Sequence, residues 1–590
     1  MFLDKLNDNL PKWDLTDLYS GVKSEQLTND ISNLFKRAES LNQLFENKIS
    51  EASASSFLEL ITEFQSIKEG VDKFISFSYL TYCTDMDDQN KGKFFQNMQE
   101  KATEISSKIL FVKLEISRLD DSKIATLTEC QKVSFFKPWI MDVRAERNHQ
   151  LSDDLEKLLN EKQLISSAWV RLFDQLISKL RFYVDDKELT ITEIFDFLSD
   201  NSEEKRRKAG ESIGKTLSKN IQSFTLITNT LAKDKEIEDR WRNFSEPIYS
   251  RNLSNRVENE IVNTLISSVE EAYPRISHRY YKLKAKWMGV KKLSYWDRNA
   301  PISKAQEKEI PWADAVDTVS KAYRDFSPTL ANIGQQFFDN EWIHAQLLSG
   351  KAPGAFAHPT VPSAHPYLLL NYQGKNRDVM TLAHELGHGI HQVLAGDCGH
   401  LMSETPLTLA ETASVFGEQL TFQAMLKCVD DIELRKVMLA AKVEDMLNTV
   451  VRQVAFCQFE QNIHLERRSG ELTTDRICEI WLESQSKSLG PSVDISGDYK
   501  YFWAYIPHFI HSPFYVYAYA FGDCLVNALY GAYLKKPEGF EPLYIDLLKA
   551  GGTLSHKELL SPFGLNAEKK QFWTTGLNVI EAYIDELSGI

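Results

Sequence analysis

Along most of the chain, apolar residues recur every three or four positions, and charged residues fill the places between them. This spacing puts the apolar side chains on one face of an α-helix. It predicts long helices in five segments, at residues 21–48, 55–80, 93–118, 202–238 and 258–288. The sequence has no fixed-period repeat and no low-complexity tract. Because helical spacing covers most of its length, the chain is predicted to be mainly α.

Two segments break the helical pattern. In residues 180–192, side chains alternate around an Asp-Asp pair, which predicts a short hairpin. In residues 346–375, Gly350, Gly354 and three prolines between 359 and 366 precede the run Tyr367–Tyr372, and this composition predicts extended chain with turns. Helical spacing resumes at Asp378. A small β or extended patch is therefore expected directly before that residue.

Composition narrows the class of protein. The chain has 590 residues, 43% of them hydrophobic, and a net charge of −15. The apolar content is that of a folded globular protein, and the acidic balance argues against a general nucleic-acid surface. Seven cysteines form no C-x-x-C pair, which fits a reducing compartment. With no apolar run of about 18 residues and no signal-like start, we expect a cytoplasmic protein without a membrane partner.

Histidine is unevenly distributed, and its clustering indicates where chemistry is concentrated. Ten of the 13 histidines lie in residues 344–511, where His384, Glu385 and His388 form an H-E-x-x-H motif in a helical segment. Histidines four apart share a helix face, so both imidazoles can reach one Zn²⁺. Glu385 lies about 100° further round the helix, where it can act as a general base. The glycines on either side of His388 suggest that another backbone or a ligand approaches closely.

A catalytic zinc usually has three protein ligands and an open position. The longer motif with a third histidine fails here, because Leu394 stands at its position. We therefore expect a carboxylate ligand and choose Glu411, since the small residues around it would let its helix approach the motif closely. Glu418, two turns further, either supports a ligand or faces solvent, and His391 is a competing ligand.

Residues 501–522 are rich in Phe, Tyr and Trp and contain His508 and His511. A buried aromatic helix is one interpretation, and we prefer it for three residues, Phe509, Phe514 and Tyr517. Tyrosine hydroxyls need partners in a dry core, however, and Tyr or His donors can stabilise an oxyanion. Tyr515 and Tyr519 are four residues apart and are predicted to share a helical face.

Six stretches, taken together, resemble the oligoendopeptidase F family, relatives of thimet oligopeptidase and neurolysin. They are WDLTDLYSG (13–21), GKAPGAFAH (350–358), LLLNYQG (368–374), TLAHELGHG (381–389), TPLTLAETASVFGE (405–418) and, within 506–522, IPHF with PFYVYAYAFG. The resemblance spans nearly the whole chain, and the combination is far more specific than the H-E-x-x-H motif alone.

The resemblance implies a fold and an activity. The fold is a large, mainly α, zincin-like metallopeptidase with a deep central channel and a small β or extended patch beside the motif helix. Separately from the resemblance, the helical pattern of the first 200 residues predicts an N-terminal helical lobe at 1–200, followed by a catalytic domain at 201–590. The implied activity is that of a zinc metalloendopeptidase, with one Zn²⁺ ion, that cleaves short peptides.

The resemblance also implies roles for individual residues. It makes His384, His388 and Glu411 the zinc ligands and Glu385 the general base. It makes His508 and Tyr519 the residues that stabilise the reaction intermediate. Tyr515 and Tyr517 remain alternatives to Tyr519 in that role.

Substrate binding is the last implication of the resemblance. The extended segment 354–373 looks like the edge strand on which the substrate backbone pairs. We therefore expect Gly354, His511 and Tyr515 to bind substrate.

The expected function is hydrolysis of oligopeptides by a zinc-bound water that Glu385 activates. A dipeptidyl carboxypeptidase-type exopeptidase on the same scaffold is the alternative. A non-catalytic peptide-binding protein is a further alternative, against which the intact motif argues. Short peptides are the expected partners, nucleic acid and membranes are not, and the oligomeric state is left open.

Overall fold

The structure is a computed structural model that describes residues 10–302 and 309–590. It is 71% helical, which confirms the predicted fold class. The chain divides into two compact units, each assembled from three segments. The first unit comprises Met1–Arg147, Glu307–Cys428 and Tyr533–Gly564; the second comprises Asn148–Gln306, Val429–Ala532 and Leu565–Ile590.

Seven short strands occur among the described residues. They are β1 (Phe182–Val184), β2 (Lys187–Leu189), β3 (Leu293–Ser294), β4 (Ile343–His344), β5 (Phe356–His358), β6 (Tyr367–Leu369) and β7 (Val493–Asp494). β1 and β2 form the hairpin that the alternation in 180–192 predicts, and β3 pairs in parallel with β7.

The helices of the first unit follow the predicted apolar spacing. In Ala54–Cys83 the residues Phe57, Leu60, Ile61 and Phe64 are all buried, and they recur every three or four positions along one face. The described helices of this unit are Glu25–Phe45, Ala54–Cys83, Gln89–Arg118, Asp121–Thr128, Gln131–Ser134, Lys137–Ala145, Trp312–Phe326, Pro328–Asp339, Asn376–Ala395, Leu407–Lys427, Phe540–Lys549 and His556–Leu560.

A three-stranded sheet in the first unit has the order β4-β6-β5, with β4 parallel and β5 antiparallel to the central strand. β5 therefore has one free edge within this sheet. Trp13, from the stretch WDLTDLYSG, packs edge-on against His344 and Tyr367 at ring distances of 5.2 and 5.9 Å. The segment that precedes the first described helix is thus part of the packing around the sheet.

The second unit is also built from helices. Its described helices are Asp153–Lys179, Ile191–Phe197, Glu203–Trp241, Tyr249–Ser254, Asn259–Ala272, Ser277–Trp287, Ile432–Met446, Arg452–Arg467, Thr474–Leu489, His508–His511, Lys570–Gly589 and, running three residues past the boundary of the unit, Tyr517–Lys535. The prediction of one helix over 258–288 was wrong, because Pro274 lies between Asn259–Ala272 and Ser277–Trp287 and cannot continue a helix. A π-helical turn, Leu447–Val451, joins Ile432–Met446 to Arg452–Arg467.

No helix within 10–302 and 309–590 is both long enough and apolar enough to cross a membrane. The two compact units are defined by packing alone. The division into an N-terminal lobe at 1–200 and a catalytic domain at 201–590 stays a prediction.

Candidate metal centre

The H-E-x-x-H motif lies in the helix Asn376–Ala395, here called the motif helix. The helix starts two residues earlier than the predicted Asp378, whose carboxylate accepts hydrogen bonds from the backbone N–H groups of Gln373 and Lys375. A carboxylate at this end is favourable because the first helical N–H groups lack partners within the helix.

The motif helix packs closely against Leu407–Lys427, here called the Glu411 helix. A Cβ atom added to Gly387 would lie 2.5 Å from the backbone oxygen of Ala413, so only glycine fits there. A Cβ atom on Gly389 would lie 2.6 Å from the ring of Phe337. The expected close approach at these two glycines is therefore present, by a backbone at one and a side chain at the other.

This packing brings together His384, His388 and Glu411, which form a three-residue group able to hold a metal ion. The two histidine Nε2 atoms are 3.1 Å apart. The Oε2 atom of Glu411 is 3.4 Å from Nε2 of His384 and 3.5 Å from Nε2 of His388. Ligands at 2.0–2.1 Å from a tetrahedral zinc are about 3.3 Å apart, so the three donor atoms fit that ion in number, type and spacing.

Glu418 lies outside the three-residue group but contacts one of its members, His384. Its Oε1 atom lies 2.5 Å from Nδ1 of His384, the ring nitrogen that faces away from the other two candidate ligands. A carboxylate at this position holds the imidazole in one orientation and keeps Nε2 available for a metal. Of the two roles considered for Glu418, contact with a candidate ligand is the one observed. Ser414 similarly donates to the carboxylate of Glu411 at 2.8 Å.

Burial and neighbouring charges act differently on the three titratable residues of the motif. Burial alone would lower the pKa of His384, but Glu418, Glu411 and Glu385 raise it to about 9. Burial lowers the pKa of His388 to about 4. Burial, opposed by His384, raises the pKa of Glu385 to about 7. A carboxyl group that titrates near neutral pH is suited to accept a proton and pass it on.

Glu385 is connected to the sheet as well as to the motif helix. Its side chain is 7% exposed, and its carboxylate accepts a hydrogen bond from the backbone N–H of Ala357 in β5. Gly354 begins the segment leading into β5, with a φ of 78° that favours glycine, and Asn371 donates to its carbonyl oxygen at 2.9 Å. The predicted edge strand and the predicted base are therefore adjacent.

His391 lies one turn beyond His388 on the motif helix and is 5% exposed. It is not in the three-residue group, and its hydrogen bond goes to the backbone of Ala410. Its burial against the Glu411 helix gives it a packing role.

The residues of 501–522 form a second group, which belongs to the second unit. Here the Nε2 atom of His508 lies 3.3 Å from the hydroxyl oxygen of Tyr519. The rings of Tyr515 and Tyr519 lie 5.2 Å apart, and that of Tyr515 stacks at 6.2 Å on His508. Burial lowers the pKa of His508, and the charge of Arg452 lowers it further.

The local structure of this segment differs from the expected helical face. Tyr519 is helical, but Tyr515 lies in a turn before the helix that starts at Tyr517, and His508 begins a separate one-turn helix. The reason is the prolines at 507 and 513, which interrupt helical hydrogen bonding. Tyr515 and Tyr519 still meet, because the turn folds one ring against the other.

The remaining predicted residues of this segment have separate partners. His511 pairs with Asp174 at 2.7 Å, and both side chains are largely exposed. Phe514 and Tyr517 are fully buried, as assigned, while Phe509 is half-buried. The hydroxyl of Tyr517 accepts a hydrogen bond from Asn255 at 2.9 Å. Tyr517 is thus part of the core.

Two contacts near the motif were missed by sequence reasoning. The buried hydroxyl of Tyr323 donates to the backbone oxygen of Ala383, at 2.9 Å, one residue before the first candidate ligand. Tyr323 lies in Trp312–Phe326, far from the motif in sequence, and no local pattern marks it. The contact of Ala357 with Glu385 was missed for the same reason.

Comparison with known proteins assigns the chain to a family. The profile of Peptidase family M3 matches residues 197–579, and that of Oligopeptidase F matches residues 115–182. Oligopeptidase PepF of Bacillus subtilis is 24% identical over 560 residues, covering 92% of this chain and 82% of its own. An oligoendopeptidase F homolog of Borreliella burgdorferi is 24% identical, covering 100% and 99%.

Solved structures show the same fold. A crystal structure of a proposed peptidase from Chlamydophila abortus is 22% identical, covers 98% of both chains and gives a TM-score of 0.86. That of oligoendopeptidase-F from Enterococcus faecium is 21% identical, covers 96% of this chain and 97% of its own, and gives 0.69. The family implies a metal cofactor, for which His384, His388 and Glu411 are the available site. The predicted family and enzyme class are thus confirmed: the chain belongs to peptidase family M3 and is a metalloendopeptidase.

Proposed function

We propose that this enzyme hydrolyses oligopeptides with a single Zn²⁺ held by His384, His388 and Glu411. The observation that carries the proposal is the 3.1–3.5 Å spacing of the three donor atoms, close to the edges of a zinc tetrahedron. Two imidazoles and one carboxylate also match the ligand set of zinc peptidases that keep an open position. Glu418 would fix the orientation of His384.

When bound, zinc would supply Lewis-acid chemistry, lowering the pKa of a water molecule and polarising the substrate carbonyl. Glu385 is proposed as the general base, because it follows the first ligand directly and does not belong to the three-residue group. Its carboxylate would take the proton of the attacking water and deliver it to the departing amine. The hydrogen bond from Ala357 would hold that carboxylate in place during the transfer.

His508 and Tyr519 are proposed to stabilise the reaction intermediate. Attack on a peptide bond puts negative charge on the carbonyl oxygen, and preorganised N–H or O–H donors lower the free energy of that state. The 3.3 Å contact between the two side chains supports their action as one unit. Tyr517 is a poorer candidate, since its hydroxyl is buried on Asn255.

Substrate is proposed to bind along the free edge of β5. An extended peptide can add to such an edge through backbone hydrogen bonds, which is compatible with many side chains. Gly354, at the start of this segment, would leave room for the peptide, since a Cβ atom there would meet nothing within 4 Å. His511 and Tyr515 are proposed as further substrate contacts.

We retain two broader proposals. Residues 1–200 are proposed to form an N-terminal helical lobe and residues 201–590 the catalytic domain; limited proteolysis of the full chain should then cut first near residue 200, and a first cut elsewhere would contradict this division. For the compartment we propose the cytoplasm, because all seven cysteines are unpaired. Cell fractionation with an antibody would test it.

The test of the function combines metal analysis with one substitution. Purified enzyme should contain one zinc per chain, and a chelator should abolish cleavage of a fluorogenic oligopeptide. Glu385→Gln keeps size and zinc content but should lower kcat by about 10²–10⁴-fold. The matched control is Glu404→Gln, the same change at an exposed position, which should leave kcat unchanged. Full activity in Glu385→Gln, or in zinc-free protein, would refute the proposal.

A further inference from the structure

The turn 512–516 joins the one-turn helix that starts at His508 to the helix that contains Tyr519. At its centre Phe514 has a φ of 61°, in the left-handed region that a bulky side chain rarely adopts. Phe514 is also completely buried. A strained, buried backbone of this kind persists only where surrounding contacts hold it.

Glu460 supplies one of those contacts. It lies in Arg452–Arg467, and its Oε1 atom accepts a hydrogen bond from the backbone N–H of Phe514 at 2.9 Å. Without that acceptor the buried N–H would be unpaired, and the left-handed conformation would lose its main support. Arg251 donates to the carbonyl oxygen of the preceding Pro513 at 3.2 Å, so side chains from two helices hold adjacent backbone groups of the turn.

The second oxygen of Glu460 offsets the stability that its hydrogen bond to Phe514 contributes. Its Oε2 atom is buried and has no hydrogen-bond partner among the described residues. The carboxyl lines a small cavity of about 30 Å³, whose walls include Phe459, Ile463 and Phe509. Burial raises the pKa of Glu460 to about 8, against the opposing influence of the Phe514 N–H, Arg251 and Lys235. Burying a half-satisfied carboxyl costs free energy, whereas an apolar side chain of the same size would fit these surroundings.

We propose that Glu460 is a positioning residue, which holds the turn at Phe514 and thereby sets the placement of His508 relative to Tyr519. This inference rests on the proposed function of that pair. Glu460 itself touches no reacting atom in the proposal. Since the two side chains lie on opposite sides of the turn, a change in the turn backbone alters their 3.3 Å contact directly.

Two substitutions separate positioning from stability. Glu460→Gln keeps an acceptor oxygen for the Phe514 N–H, whereas Glu460→Met keeps the side-chain volume and removes the acceptor. We expect Glu460→Met to lower kcat by about 10–100-fold, with KM within about twofold of the wild type, because small misplacements of reacting groups cost this much. Glu460→Gln should keep kcat within about threefold, and zinc content should be unchanged in both variants.

Thermal unfolding provides the readout that a merely structural role would not give. Glu460→Met should unfold close to the wild-type temperature, because removal of a half-satisfied buried carboxyl offsets the Phe514 N–H that is left unpaired. Equal kcat in the two variants, whether both high or both low, would overturn the inference, as would a loss of kcat in Glu460→Met that follows a loss of thermal stability. His508→Ala and Tyr519→Phe are measured in parallel. If these two keep full kcat, the proposed role of the pair fails, independently of what Glu460 does.

Discussion

Glu418 shows how much of the candidate centre depends on residues that would not touch the metal. Its carboxylate lies 2.5 Å from Nδ1 of His384 and thereby selects the ring nitrogen that faces the site. Partners of this kind typically contribute 10–100-fold to metal affinity. The sequence marked Glu418 only by its position two helical turns after Glu411.

The first prediction concerns this residue. Glu418→Gln should weaken zinc binding by about 10-fold and Glu418→Ala by about 100-fold, because the amide keeps a weaker acceptor and alanine none. Competition with a chromogenic chelator measures the dissociation constant. Glu404→Gln serves as the exposed control. Wild-type affinity in Glu418→Ala would show that His384 needs no support.

A second prediction concerns stability and pH at Glu460. The pKa of this carboxyl is about 8 in the folded state against an ordinary 4.5, so between these values the folded protein holds a proton that the unfolded chain has released. Stability that this group contributes is therefore present at low pH and is lost as the pH rises through 8. Glu460→Gln removes the effect, and its unfolding temperature should rise relative to wild type by about 1–3 °C between pH 5 and 8. Calorimetry at several pH values measures this; a constant difference would contradict it.

At the scale of single residues, the sequence predicts those groupings that depend on spacing along the chain. Two histidines four apart and a downstream glutamate among small residues were enough to choose the three members of the metal group. The contacts of Tyr323 with Ala383 and of Ala357 with Glu385 could not be predicted, because they depend on how distant segments pack. The chain carries no local pattern for such long-range contacts.

At the scale of elements, the two helices of the metal centre are placed by glycine. A Cβ atom on Gly387 would overlap the backbone of Ala413 and Ser414, and one on Gly417 would lie 1.8 Å from the hydroxyl oxygen of Tyr323 and 3.1 Å from the carbonyl oxygen of Ala383. The absence of side chains lets the two backbones meet, so that Glu411 reaches the two histidines. Close helix contact is thus a condition for the metal group.

Gly387→Ala tests this directly. The added methyl group would lie 2.5 Å from a backbone oxygen that cannot move aside without shifting the Glu411 helix. We expect a loss of about 2 kcal/mol or more in stability, together with weaker zinc binding, measured by thermal unfolding and metal titration. Gly396→Ala is the matched control at the end of the same helix, where the nearest atom would be 3.9 Å away. An equal effect of both changes would exclude the helix contact as the cause.

Element prediction succeeded where apolar spacing was long and uninterrupted, as in Ala54–Cys83. It failed where proline changed the backbone: at Pro274, and in 501–522, where Tyr515 proved to precede the helix. In the second case the side-chain pairing survived although the secondary structure was wrong. Two side chains four positions apart in sequence can meet either in a helix or in a folded turn.

At the scale of the whole molecule, each compact unit is assembled from three separated segments. A sequence pattern reports neighbours along the chain, so it cannot reveal that residues 533–564 pack with the first unit and 565–590 with the second. Membership of the family, by contrast, was evident from short motifs, because the chemistry is carried by a few residues. Fold class and enzyme class were therefore predictable, while the packing units were not.

The final prediction distinguishes internal cleavage from removal of C-terminal residues. A site built to bind a substrate group rejects an analogue that lacks it by about 10⁴-fold, so an exopeptidase that reads the free carboxylate would fail on a C-terminal amide. An endopeptidase that binds peptide backbone along β5 makes no use of that carboxylate. A pair of otherwise identical peptides of about ten residues, one with a free acid and one amidated, should give the same cleavage site by mass spectrometry and kcat/KM values within about threefold. Loss of cleavage in the amidated peptide would contradict binding along the strand edge and would require a carboxylate-binding subsite in its place.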